Sequence, residues 1–271
     1  MRFREVSTSG RYIDKRVRDR ESADKWLSLA MDIGESMLMC GGDVSRVEDT
    51  MYRLCRTFSA ERIDIFVITS NITATLQSPS YGFVTQTRRI EPGRVDLSHL
   101  EKLNSISRRI CGTAMSQEEA EEALRAIEPE PAYPLPVLML AWAIGAGGFC
   151  FLFGAGMADA VCCGLIGIII KCVERRMSLL VMNSFLSGFL CGLLGGSLAG
   201  LCVRTGLGTS FPLICIGDVM LLIPGLLLTN SIRDMFSGDT ISGMNRFIEA
   251  LLLSMMIAAG FALSSGWGVS V

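Results

Sequence analysis

The stretch Ile216-Gly-Asp-Val-Met-Leu-Leu-Ile-Pro-Gly-Leu-Leu-Leu-Thr-Asn-Ser-Ile-Arg-Asp-Met-Phe-Ser-Gly-Asp-Thr-Ile-Ser-Gly243 decides how the rest of the chain is read. Its third residue is an acid, Asp218, which lies near the middle of an apolar run of helix length at about 210–230. Pro224-Gly225 breaks that run, and the stretch ends in a polar cluster of Thr229, Asn230, Arg233, Asp234 and Asp239. An ionisable residue beside a helix break is costly in hydrocarbon, so it faces protein or a water-filled path. The stretch is therefore either a transport site or a bent structural helix.

Working outward, the composition divides the chain. Half of its 271 residues are hydrophobic, with a mean hydropathy of +0.43, yet 19% are charged. Of the 25 Lys and Arg, only Lys171, Arg175, Arg176, Arg204, Arg233 and Arg246 lie after Pro134. Of the 27 Asp and Glu, only Asp159, Glu174, Asp218, Asp234, Asp239 and Glu249 do. The first half reads as a soluble domain and the second as a membrane domain. The fold class expected is an α+β cytosolic domain followed by an all-α polytopic membrane domain of five transmembrane helices. A net charge of −2 gives no argument for nucleic acid.

Five apolar runs lie near residues 136–155, 157–173, 179–203, 210–230 and 246–267, each close to the ~20 residues that span a bilayer. Residues 1–20 are charged and lack an apolar signal region, so the N-terminal half is expected in the cytosol. With that orientation the cytosolic loops hold Lys171, Arg175, Arg176, Arg233 and Arg246, and the opposite loops hold Arg204. This places the N-terminus inside and the C-terminus outside, in a multi-pass cell (plasma or inner) membrane protein. Gly188, Gly192, Gly196 and Gly200 repeat at four-residue spacing, which lets helices approach closely. In the fourth run Pro224 frees a carbonyl one turn earlier, near Met220. Asp218 lies six residues upstream of Pro224, roughly 9 Å along the axis at ~1.5 Å per residue. It can carry a proton or pair with a cation. Arg233 can hold a carboxylate bidentately, with Thr229 and Asn230 adding hydrogen bonds. The competing structural account is an interfacial Arg233-Asp234 ion pair and a packing kink at Pro224-Gly225.

The segment before the runs is expected as a charged, disordered N-terminus at 1–20, a cytosolic α+β domain at 21–128 and a Pro-rich linker at 129–135, with the membrane domain at 136–271. Trp26, Leu29, Ala30, Ile33, Met37 and Cys40 share one helical face that Gly41-Gly42 stops. Ser45 and Glu48 predict a capping box for a second helix, whose buried stripe is Val47, Met51, Leu54, Cys55 and Phe58. Asp49 and Arg53 are spaced to pair. Arg46 and Glu48 also stand as candidate functional residues. Runs at 63–69, 72–76 and 83–87 suggest a three-stranded meander. Leu97, Leu100, Leu103, Ile106 and Ile110 form a further helical face, and Ser116 with Glu119 predicts another capping box.

No catalytic chemistry is legible. The ten cysteines lie mostly in apolar runs without C-x-x-C, the single histidine is His99, and no nucleophile-base set or phosphate loop appears. No metal, cofactor or enzymatic activity is expected.

Two motifs resemble those of the threonine/serine exporter family. They are Leu222–Asp234, continued by Ser237–Gly243, and Gly41-Gly-Asp-Val-Ser-Arg-Val-Glu-Asp49. The resemblance covers about Ala23 to Trp267. It implies export of small polar metabolites, threonine and serine in the named cases and succinate for some paired relatives, coupled to the proton motive force. Fused members carry a second set of membrane helices, so this chain looks like the N-terminal subunit of a split two-component exporter. The implied partner is a second, smaller multi-span membrane subunit in an oligomer. The expected function is a secondary-active exporter subunit for small polar carboxylates. The alternatives are a membrane-anchored cytosolic enzyme or sensor, and a passive channel. The residues expected to carry substrate and coupling are Asp218, Pro224, Gly225, Thr229, Asn230, Arg233, Asp234 and Asp239.

Overall fold

The structure, a computed structural model, describes residues 19–268 apart from 58–59, 92, 94, 114, 128–132 and 181–182, without the side chains of 265–268. Residues 1–18 of the charged N-terminus, Phe58, and Pro129 and Pro131 of the expected linker lie outside the described residues. The chain groups into two units. One is Met1–Glu130 with Ile232–Gly243; the other is Pro131–Ser231 with Met244–Val271.

The first unit is α+β. Asp19 caps α1 (Arg20–Met39), accepting a hydrogen bond from Ser22 N at 2.7 Å, so Asp19 and Arg20 of the stretch expected to be disordered belong to a capped helix. Trp26, Leu29, Ala30, Ile33 and Met37 are buried along one face, and Gly41 takes the left-handed φ of 88° that ends the helix. The expected capping box at Ser45 and Glu48 does not form. α2 (Val44–Arg56) is capped by Asp43, whose Oδ1 accepts from Arg46 N at 2.8 Å. A carboxylate two residues earlier caps as well as a serine, and Val44 and Val47 are then both buried. Glu48 instead reaches a strand, accepting the Val67 N–H at 3.1 Å. Asp49 and Arg53 do pair, at 2.8 Å.

β1 (Arg62–Ile68), β2 (Asn71–Ser78) and β3 (Gly82–Arg89) make an antiparallel meander with β2 central. Ile72, Ala74, Leu76 and Ser78 of β2 are buried at alternate positions, as a sheet with one covered face requires. Thr73 and Thr87, then Thr75 and Thr85, bond hydroxyl to hydroxyl across the other face. α3 (Leu97–Gly112) buries Leu100, Leu103, Ile106 and Ile110, whereas Leu97 is exposed. α4 (Gln117–Arg125) opens with the expected Ser116–Glu119 box, both arms formed.

The second unit is helical: α5 (Leu135–Leu152), α6 (Met157–Leu179), α7 (Ser184–Arg204), α8 (Phe211–Leu222), the start of α9 (Gly225–Ser237) and most of α10 (Thr240–Gly268). α5, α7 and α10 are each long and apolar enough to cross a membrane. α8 and α9 qualify together as one bent span, broken by 55°. That makes up to four among the described residues, where the hydropathy pattern suggests five. α6 has ample length but carries Asp159, Lys171, Glu174, Arg175 and Arg176, and is not among them. The glycines set helix separations. A Cβ on Gly147 would sit 2.8 Å from Ala160 O, and one on Gly192 would sit 2.5 Å from Ile257 O. These contacts draw α5 onto α6 and α7 onto α10.

Candidate functional site

Among the described residues of the helical unit two acids are buried, Asp159 and Asp218, and their surroundings differ. Asp159, in the first turn of α6, is fully hydrogen-bonded. Its Oδ1 accepts from the backbone N–H of Thr209 and Ser210, and its Oδ2 accepts from the Thr209 hydroxyl at 2.6 Å. It pins the turn that leads into α8.

Asp218, on α8, is 1% exposed, and its Oδ2 has no hydrogen-bond partner among the described residues. Its Oδ1 lies 3.4 Å from the thiol of Cys163 on α6. That thiol also lies 3.2 Å from Ala146 O and 3.5 Å from Ile214 O. A single weak S–H donor cannot serve all three acceptors at once. Gly217 makes the approach possible, since a Cβ there would come 2.5 Å from Cys163 Sγ and 2.9 Å from Ala146 O. Composition alone makes Cys163 one more small apolar filler; only the packing shows it as the neighbour of the acid.

The break that follows is also local chemistry. Pro224 has no N–H to offer Met220 O. The Gly225 N–H, which a continuous helix would send to Leu221 O, donates instead to Ile223 O at 2.8 Å. Two consecutive carbonyls thus lose their helical donors at the bend. Thr229 is exposed on α9, and its hydroxyl donates back to Gly225 O at 2.9 Å, so that donor is engaged within the helix. Asn230 is half-buried.

The remaining candidates fall in the α+β unit. Arg233 Nη1 lies 3.7 Å from Asp43 Oδ2, the oxygen that Asp43 does not use to cap α2. Asp234 is fully buried, and its carbonyl accepts the Asp239 N–H at 2.9 Å. Gly238, at φ 98°, turns the chain between them. Arg46 is exposed and contributes its backbone N–H to the Asp43 cap. Burial pushes the Glu48 carboxyl above the ordinary glutamate range; the Val67 N–H opposes this, and the Asp239 charge adds to it. Asp239 is likewise pushed up, by burial and then by Asp43. Asp43 was not singled out from the sequence, although it stands inside the Gly41–Asp49 motif. The structure gathers Asp43, Glu48, Arg233 and Asp239 within one unit, and sets Asp218 in the other.

These raised values have a testable sign. A carboxyl whose folded pKa is raised stabilises the fold at low pH, and that contribution is lost as pH rises through the folded value. Glu48→Gln keeps an oxygen for Val67 N–H and removes one charge. Its melting temperature should fall less than the wild type's between about pH 5 and about pH 8. At the higher pH it should be the more stable by a few tenths to about 1 kcal/mol. An unchanged pH slope in thermal unfolding of the variant would assign the titration elsewhere.

Among the described residues, three helices long and apolar enough to cross a membrane, a bent pair that qualifies as a fourth and a buried acid mark a multi-pass membrane protein. The chain belongs to the threonine/serine exporter family (ThrE), whose model matches residues 28–266. It is 26% identical over 250 residues to the "Threonine/serine exporter" of Corynebacterium glutamicum, a match covering 88% of this chain and 50% of that one. It is 22% identical over 235 residues to the "Probable succinate transporter subunit YjjP" of Klebsiella aerogenes, covering 86% and 90%. The protein of that name in Escherichia coli K12 is 21% identical over 243 residues, covering 89% and 94%. The chain thus spans about half the length of the exporter and most of the length of the subunits. No solved structure matches it. The relatives are named as transporters.

Proposed function

We propose that this chain is a subunit of a secondary-active exporter that moves small polar carboxylates out of the cytosol, driven by the proton motive force. Threonine and serine are the first substrates and succinate-like dicarboxylates the second, following the names of the relatives. The observation that carries the proposal is the buried, half-partnered carboxylate of Asp218, six residues before a helix break. An unpaired carboxylate away from water is stabilised by taking up a proton or a cation, which is what a coupling group must do reversibly. Asp159 shows that this bundle can satisfy a buried acid completely. Asp218, in the same unit, keeps one carboxylate oxygen without a hydrogen-bond partner among the described residues.

In this scheme α5, α6, α7, α8 with α9, and α10 make five crossings, with the charged end of α6 at the cytosolic face. The α+β unit lies in the cytosol and the C-terminus outside. The carbonyls freed at Pro224-Gly225 line the path, as in other broken transporter helices. Arg233 receives the substrate carboxylate at the cytosolic end, while Asp234 and Asp239 hold the turn beside it. A second, smaller multi-span subunit completes the path. Its support is the word "subunit" in the names of relatives that this chain nearly spans, and the double length of the exporter.

The test is reconstitution of the full chain with that second subunit in liposomes, following labelled threonine, serine and succinate under an imposed pH gradient. Uphill movement of at least one is expected. Absence of any gradient-driven flux of all three would sink the proposal.

A further inference from the structure

Arg233, the residue assigned above to receive substrate, is not waiting empty. It stands 3.7 Å from a carboxylate of the protein itself, Asp43 Oδ2. The two partners are unequally held. The Asp43 side chain is 15% exposed and anchored through its other oxygen to the N-terminus of α2, whereas the Arg233 side chain is 60% exposed. The contact is long. It engages one guanidinium nitrogen and leaves most of a five-donor fork open to a second carboxylate. Two more acids share the neighbourhood, since Asp239 feels the charge of Asp43 and Glu48 feels that of Asp239.

We propose that Asp43 is a built-in competitor of the substrate, occupying Arg233 in its absence and giving way when a substrate carboxylate arrives. This inference rests on the assignment of Arg233 as the carboxylate receiver. It makes Asp43 a positioning residue that sets affinity and selectivity without touching the substrate. A long ion pair with one largely exposed partner shifts an equilibrium by up to about fivefold, enough to tune binding and weak enough to be displaced. The competition is uneven between substrates. A dicarboxylate brings a second negative charge toward Asp43, Glu48 and Asp239, whereas the ammonium of an amino acid is attracted by them. Asp43 therefore weighs more heavily against the dianion.

The test uses the reconstituted full chain and reads the concentration of threonine, serine and succinate at half-maximal flux. Asp43→Asn keeps an oxygen for the Arg46 N–H and removes the charge. It should lower that concentration by about two- to fivefold, more for succinate than for threonine, with the maximal rate nearly unchanged. Arg233→Gln should raise it for all three. Asp43→Ser, which also caps, repeats the measurement should the Asn variant fold poorly. Both Asp43 variants weakening binding as Arg233→Gln does, or leaving it unchanged, would overturn the competitor role and make the pair a structural tie. If Arg233→Gln itself leaves the concentration dependence intact, it is the assignment of Arg233 that fails, and the inference falls with it.

Discussion

Asp218→Asn is expected to abolish the pH-gradient dependence of efflux and to cut flux by on the order of 10²-fold, the scale on which loss of a proton-transfer group acts. It should do so while the protein still folds. Among the described residues the Asp218 carboxyl takes part in one hydrogen bond, from the Cys163 thiol, and its second oxygen has no partner. An amide of the same shape removes a buried charge that nothing compensates, so the stability change should stay within about 1 kcal/mol. Asp159→Ala is the contrasting control. It deletes an acceptor that holds Thr209 N–H, Thr209 hydroxyl and Ser210 N–H. Hydrogen bonds to a charged group are worth roughly 1.5–3 kcal/mol each, so that variant should lose at least about 3 kcal/mol. Thermal unfolding and flux measured on both variants separate the roles. Wild-type flux and wild-type pH dependence in Asp218→Asn would reduce Asp218 to a structural acid.

The largest structural effect is expected at Gly192. A Cβ there would sit 2.5 Å from Ile257 O and 3.2 Å from Phe261 Cδ2 on α10. The first of these is backbone and cannot rotate away. Gly192→Ile should force α7 off α10, costing more than the 1–3 kcal/mol typical of overpacking and leaving little correctly assembled protein. Gly148→Ala offers the counterpart, because a Cβ at that position has nothing within 4 Å. It should cost nothing and gain up to about 1 kcal/mol from helix propensity. Size-exclusion profiles and melting temperatures of the two variants decide the matter. A Gly192→Ile variant that elutes and melts like the wild type would mean that α7 and α10 are not apposed as described.

What the sequence reveals and what it hides follow from the range of the interactions. Periodicity needs only near neighbours, so the buried faces of α1, α2 and α3 are legible, as is the Ser116–Glu119 box. Ser45 and Glu48 have the same spacing, yet Asp43 takes the cap and Glu48 is drawn to Val67, a partner nineteen residues away. Asp159 and Asp218 look alike in sequence, each a rare acid in an apolar run. Only Thr209 and Ser210, fifty residues from Asp159, tell them apart. The bend at Pro224-Gly225 was legible because proline acts on its own helix. The 3.7 Å approach of Arg233 to Asp43 was not, since nothing local links residues so far apart in the chain.

The division of the α+β unit has a consequence for how the protein is made. Its larger piece ends at Glu130 and its smaller piece begins at Ile232. At ~5–20 residues per second, the stretch between them takes roughly 5–20 s to synthesise. During that interval Asp43 and Glu48 are already out of the ribosome, while Arg233 and Asp239 do not yet exist. Completion of the unit therefore waits for α5 through α8 to emerge. The ion pair at Arg233 is then a late event in the life of the nascent chain, formed after most of the bundle has been delivered.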